Sequence, residues 1–283
     1  MFRVVECIVH QHDHGLIILA ALVWIVGSGA LFLLLKRATD CVEARRLRWL
    51  IIASFVAGFG VWATHFIAML AYDGTMPISF GPGLTAVSVV FVIIGFGFSL
   101  QMLSSNPSPL KCLMAGTVTM LGIGAMHFTG MSAIIAPAEL RYEWTPILVS
   151  AFIVALSFGA AYFIFTKLEG PAQIVIPSLL AIFGVLALHF TAMSATVLVP
   201  DFSNGIPTAD QNLDWLVGSI AAATFALIVA VSVSAMVDRL LTDLRGLTNA
   251  TLEGVAIISN GRIIEANPQL ADLIGVSQQD LIG

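Results

Sequence analysis

Three histidines stand in otherwise apolar sequence, each 62 residues from the next: His65, His127 and His189. A methionine follows each of them four residues later, at Met69, Met131 and Met193. A spacing of four brings two side chains to one face of a helix, so each pair offers an imidazole and a thioether together. That soft donor set suits copper, Cu(I) above all, better than magnesium, calcium or manganese. Zinc more often recruits cysteine or carboxylate. An ionisable group in a membrane segment is costly and points to function. A single methionine is commonly a gap filler, but three His–Met pairs in register read as metal ligands. Met126 stands beside His127, where the sister copies have Thr64 and Leu188, and reads as packing or as an accessory ligand. A second group, His10, His12 and His14 around Asp13, alternates near the N-terminus. It can capture Cu(II) or Zn(II), or simply form a solvated interfacial stretch, and a delivery or lid role is open to it.

The elements that must position these residues are repeats. GVWATHFIAM (60–69), GIGAMHFTGM (122–131) and GVLALHFTAM (184–193) align without gaps. A fixed period of this length marks a supersecondary unit, here a pair of helices occurring three times. The composition says where the helices sit. Of the 283 residues 58% are apolar and 10% charged, and the mean hydropathy is +0.97. Soluble domains carry about 25% charged residues, so a soluble domain, a disordered chain and a nucleic-acid binder are excluded. Seven apolar runs are long enough to span a bilayer: 15–35, 50–71, 83–103, 113–136, 146–166, 174–199 and 215–236. Turn residues separate them at Asp73-Gly74, Asn106-Pro107, Pro137, Glu169-Gly170-Pro171 and Asn204-Gly205. Cys7, Cys41 and Cys112 are far apart and form neither a disulfide framework nor a paired metal motif.

Charge gives the direction. Lys36, Arg37, Arg45, Arg46, Arg48, Lys111, Lys167, Arg239 and Arg245 fall on one side, Arg3 and Arg141 on the other. The positive-inside rule then places the N-terminus outside and the C-terminus in the cytoplasm. His65 lies about 16 residues past the charged loop ending at Arg48, and His127 lies 16 past Lys111, about 24 Å into a core of about 30 Å. The three histidines thus share one depth, towards the outer face. The motif glycines Gly60, Gly122 and Gly184, with Ala68, Gly130 and Ala192, let helices approach closely. The fold class is an all-α membrane protein of seven transmembrane helices, three repeated pairs plus a seventh, with a small α/β fragment at the C-terminus.

At these residues the sequence resembles the MHYT domain, a bacterial membrane sensor module named for Met-His-Tyr-Thr. Met126-His127-Phe128-Thr129 matches with Phe for Tyr, and Thr64-His65-Phe66 and Leu188-His189-Phe190-Thr191 are its sister copies. The resemblance covers about residues 10–236. It implies copper bound through the His and Met residues and sensing of O2, CO or NO. With Phe in place of Tyr, no phenol hydroxyl is offered at these positions.

After Met236 the composition changes. Val237, Leu240, Leu241, Leu244 and Leu247 recur at helical spacing among charges, as in an amphipathic signalling helix. Residues 251–283 then carry two β-rich runs, Gly254–Ser259 and Arg262–Ala266, around the turn Asn260-Gly261. Asn267-Pro268 opens a short helix. This resembles the start of a PAS domain, too short for a whole one. The expected domains are 1–236, the membrane sensor; 237–250, the linker helix; and 251–283, a truncated PAS domain. The resemblance implies further domains beyond the chain, of the diguanylate cyclase and phosphodiesterase (GGDEF and EAL) type. No enzyme is expected in this chain itself. The expected partners are the lipid bilayer, copper, a diatomic gas and a second copy through the cytoplasmic region. The expected location is the bacterial inner membrane, with the sensor site towards the periplasm. A transporter or proton-linked channel, and a haem b sensor using two of the histidines, are the competing readings.

Overall fold

A computed structural model describes residues 12–41, 43–72, 78–104, 107–201, 213–250, 253–259, 261–277 and 280–282. His10, Cys7 and the turns at Asp73-Gly74 and Asn204-Gly205 lie outside the described residues. The chain divides into two units, 1–230 and 231–283.

Among the described residues seven helices are long and apolar enough to cross a membrane, the seventh through Asp214–Val233 at the boundary of the two units. They are α1 (His14–Asp40), α2 (Glu43–Leu70), α3 (Pro82–Leu103), α4 (Pro109–Ser132), α5 (Trp144–Phe165), α6 (Ala172–Ser194) and α7 (Asp214–Ala250). In hydrocarbon a helix satisfies its own backbone, which is why apolar runs of this length take that form. Pro82 and Pro109 open α3 and α4, where a missing N–H costs nothing. Asp13 caps α1 by accepting from the Leu16 N–H, and Ser108 caps α4 by accepting from the Lys111 N–H. Large apolar residues such as Phe98, Leu148, Phe152 and Phe183 point outward. The buried aromatic core is Trp24, Phe32, Phe66, Phe96, Phe158 and Tyr162.

Gly60, Gly122 and Gly184 each lie close against the first helix of their own pair. A Cβ on Gly122 (α4) would lie 2.8 Å from the Gly95 Cα of α3. One on Gly184 (α6) would meet Ser157 of α5 at 3.0 Å, and one on Gly60 (α2) would meet Trp24 of α1 at 3.3 Å. The pairs then close into a bundle through indoles. The Trp24 Nε1–H donates to the Ala181 carbonyl, tying α1 to α6. The Trp62 Nε1–H donates to Ser88 Oγ and the Thr85 carbonyl, tying α2 to α3.

Two expected spans are too long at their ends. The fourth stops at Ser132 rather than 136, and the sixth at Ser194 rather than 199. The apolar residues beyond them form strands instead: β2 (Ile134–Ile135) pairs with β1 (Ser79–Phe80), and β4 (Thr196–Pro200) pairs with β3 (Ala138–Tyr142). Branched residues favour the extended form, and the partner strand takes up the backbone groups.

These pairings repeat with the helix pairs. The residue after each histidine-bearing helix is an alanine: Ala71, Ala133 and Ala195. Its carbonyl accepts from the N–H of the residue that precedes the first helix of the same pair: Asp13 at 2.8 Å, Gly81 at 2.7 Å and Glu143 at 2.9 Å. One residue further out, His12 faces Tyr72, Phe80 faces Ile134 and Tyr142 faces Thr196. Each pair is thus stapled shut at the end where its histidine lies, which holds the three motifs at one level.

In the second unit β5 (Ala256–Ser259) and β6 (Arg262–Ala266) form the expected hairpin, and α8 (Pro268–Ile274) follows. Gly261 turns between the strands at φ 76°, a conformation that favours glycine. Asn267 joins the parts. Its Oδ1 accepts from the Leu270 and Val255 N–H groups, and its Nδ2 donates to the Glu253 carbonyl.

Candidate metal centre

His65, His127 and His189 meet inside the bundle, one each from α2, α4 and α6. One ring nitrogen from each lies within 4.8 Å of the others. The ring centroids are 4.8 Å apart for His65–His127, 5.5 Å for His65–His189 and 6.0 Å for His127–His189. All three residues are buried. Among the described residues they are the one group of three His, Cys or carboxylate side chains placed to hold a metal ion.

Their polar atoms are poorly paired within the protein. The Nδ1 atoms of His65 and His189 face each other at 3.4 Å. Two neutral imidazoles can share only one proton there. The Nε2 atoms of His65, His127 and His189 are all buried without a hydrogen-bond partner. Such orphans are rare in native interiors and call for a water or an ion. A structural histidine would have found a carbonyl or hydroxyl. These three have found each other.

The wall around them is apolar. A void of about 20 Å³ beside the rings is lined by Ile17, Ala20, Val61, Ile123, Val185 and Met126, among others. A water-sized species needs at least about 10–15 Å³ by this measure, so the void admits one small occupant. Gly130, three residues after His127, is part of the fit. A Cβ there would lie 2.9 Å from His65 Nε2.

Of the expected ligands, the structure brings the three histidines together. Met126 lines the void beside them, whereas Met69, Met131 and Met193 are buried but are not among its lining residues. The reason is axial distance: a residue four positions on is about 6 Å further along the helix. Of the N-terminal group, His14 is exposed in the first turn of α1. His12 is buried, with its ring 6.2 Å from that of His189.

Three rings enclose the level of the histidines. Phe80 packs edge-on against Phe66, Tyr142 against Phe128 and His12 against Phe190. Burial pushes the pKa of the Tyr142 phenol up, so it stays neutral. Sequence reasoning points to His12 but to neither the stapling alanines nor Phe80 and Tyr142, although Ala71, Ala133 and Ala195 extend the 62-residue period visibly.

Known proteins agree with this organisation. The MHYT repeat, described as a bacterial signalling protein N terminal repeat, matches residues 58–116 and 121–177, and a PAS domain matches 242–283. His189 lies beyond the second MHYT window, yet it completes the trio. An uncharacterized signaling protein of Caulobacter vibrioides is 30% identical over 288 aligned residues, covering 100% of this chain and 36% of that protein. The bifunctional diguanylate cyclase/cyclic di-GMP phosphodiesterase MucR of Pseudomonas aeruginosa is 28% identical, over 82% of this chain and 35% of its own length. The cyclic di-GMP phosphodiesterase NbdA of the same organism is 33% identical, over 76% and 29%. The chain therefore spans about a third of the length of these relatives. No solved structure matches it. The chain belongs to the MHYT-repeat signalling proteins of the membrane and runs on into a PAS segment.

Proposed function

We propose that the chain is a sensory input module that holds a copper ion between α2, α4 and α6. His65, His127 and His189 are its ligands, and Met126, Met69, Met131 and Met193 supply the soft surroundings. The observation that carries this reading is the trio itself: three buried imidazoles within ligating reach, each with an Nε2 that no protein group satisfies. Bound copper supplies a centre at which O2, CO or NO can coordinate. The void beside the rings has room for one such species.

The charge pattern supports an N-terminus, and a histidine level, on the periplasmic side of the bacterial inner membrane. Occupancy of the site biases the helix arrangement only to the extent that the two arrangements differ in affinity for the ion or gas. The seventh helix, which continues towards the PAS segment, is the element suited to carry that bias. The names of the relatives support cyclic di-GMP turnover as the output of the whole protein, through domains beyond this chain. The PAS segment fits a dimer joined through the cytoplasmic part.

Metal analysis of the purified chain in lipid tests the reading. Copper near one ion per chain, lost when His65, His127 and His189 are changed to Ala, is the expected result. A triple variant that keeps its full copper overturns it. A Soret band in the absorption spectrum would favour haem instead, and copper uptake into sealed vesicles would favour a transporter.

A further inference from the structure

The three stapled ends of the bundle are built alike except at one atom type. His12, Phe80 and Tyr142 each precede the first helix of a pair, and each faces the residue after a stapling alanine. Each lays its ring edge-on against the motif phenylalanine of another pair. The centroid distances are 5.7 Å to Phe190, 5.6 Å to Phe66 and 5.5 Å to Phe128, with interplanar angles of 80°, 81° and 89°. In two of the three places a benzene-type ring does this work. In the third the ring is an imidazole, 5% exposed, and it also stands 6.2 Å from the ring of His189. Packing alone explains an aromatic ring at this position. It does not choose an imidazole over the phenyl ring that Phe80 supplies at the equivalent place.

We propose that His12 is the gateway ligand of the site, the group that passes a soft metal ion between the aqueous side and His189. This rests on the metal-binding reading of the trio. His12 is held by the backbone pairing that closes the histidine end of the first helix pair, with the Asp13 N–H bound to the Ala71 carbonyl. With that end facing outward, as proposed above, it lies on the aqueous side of His189 and beside it. In the exchange a metal–nitrogen bond to His12 is replaced by one to His189. Both imidazoles are neutral before and after, and no electron moves. His189 then belongs to two neighbourhoods, the trio and the gateway pair.

The molecule supplies its own control, because Phe already fills the equivalent place at Phe80. His12→Phe keeps the ring stack and removes the nitrogens, while His12→Met offers a soft donor again. The test uses the full chain in lipid nanodiscs, loaded with Cu(I) without oxygen and unloaded by a water-soluble Cu(I) chelator. His12→Phe is expected to reach the same final copper content and the same Tm. Its loading and release are both expected to slow about tenfold, equivalent to roughly 1.4 kcal/mol on the barrier. His12→Met is expected to restore most of the rate. Unchanged or faster exchange in His12→Phe overturns the gateway, as does loss of copper stoichiometry, which would make His12 a resident ligand. If the unaltered chain takes up no copper, the failure lies with the metal site itself and not with His12.

Discussion

Two of the polar clusters buried in the bundle are built in opposite ways. Ser99, Thr119 and Tyr162, from α3, α4 and α5, form a closed ring of hydroxyls. Thr119 Oγ1 lies 2.8 Å from Ser99 Oγ and 2.9 Å from the Tyr162 hydroxyl, and Ser99 donates to Tyr162 at 3.1 Å. Each hydroxyl donates once and accepts once round that ring, so the cluster asks nothing of a ligand. His65, His127 and His189 are also buried and also meet from three helices, but their Nε2 atoms find no protein partner. About 12 Å along α4 separates Thr119 from His127. Burial alone, then, does not mark a site. What distinguishes glue from a binding centre is whether the buried polar atoms are already satisfied.

The comparison can be broken most forcefully at the trio. Changing all three histidines to Ala should abolish stoichiometric copper, and elemental analysis reads this directly. The same change should also erase the rise in unfolding temperature on adding copper. At a hundredfold excess over Kd that stabilisation is about 2.7 kcal/mol. Both signals should survive in Tyr162→Phe.

A smaller effect is expected from Gly130→Val. Side-chain atoms there run into the His65 imidazole and re-aim it. Misplaced ligands typically lose about 10–100-fold in affinity, so competition with a chelator should show a drop in that range with little change in helix content. An affinity equal to that of the unaltered chain would mean that His65 is not held where the structure has it.

Tyr162→Phe should cost about 1 kcal/mol in denaturant unfolding, because it leaves Ser99 and Thr119 one partner short. Copper content should not move. The smallest change is expected from Ser99→Ala. Thr119 and Tyr162 keep their mutual bond, and buried hydrogen bonds in membrane proteins average about 0.6 kcal/mol. A copper loss in either variant would join the two clusters into one functional unit.

Much of this was legible in the residues. The apolar runs specify seven helices because length and hydropathy are all that the bilayer asks of a span. The period of 62 specifies three equivalent pairs with a histidine at one level in each. The ends of the fourth and sixth runs were read as helix, because Ile134-Ile135 and Thr196–Pro200 are as apolar as a span. Only their antiparallel partners, far off in the chain, reveal them as strands. The donors around the trio were legible to the same limited degree. Spacing put Met69, Met131 and Met193 on the histidine face, whereas the void lies at the level of the rings and meets Met126.

By itself, the sequence determined that the chain lives in a membrane, that it repeats, and that each repeat carries an imidazole. These follow from local composition and period, which need no partner to be read. The tertiary structure alone decided that three residues 62 apart share one centre and that their Nε2 atoms go unpaired. It also decided that His12 takes the place of a phenylalanine in a threefold arrangement. Those are relations between distant segments. They exist only once backbone pairing at Ala71, Ala133 and Ala195 has drawn each helix pair shut and brought the motifs to one level.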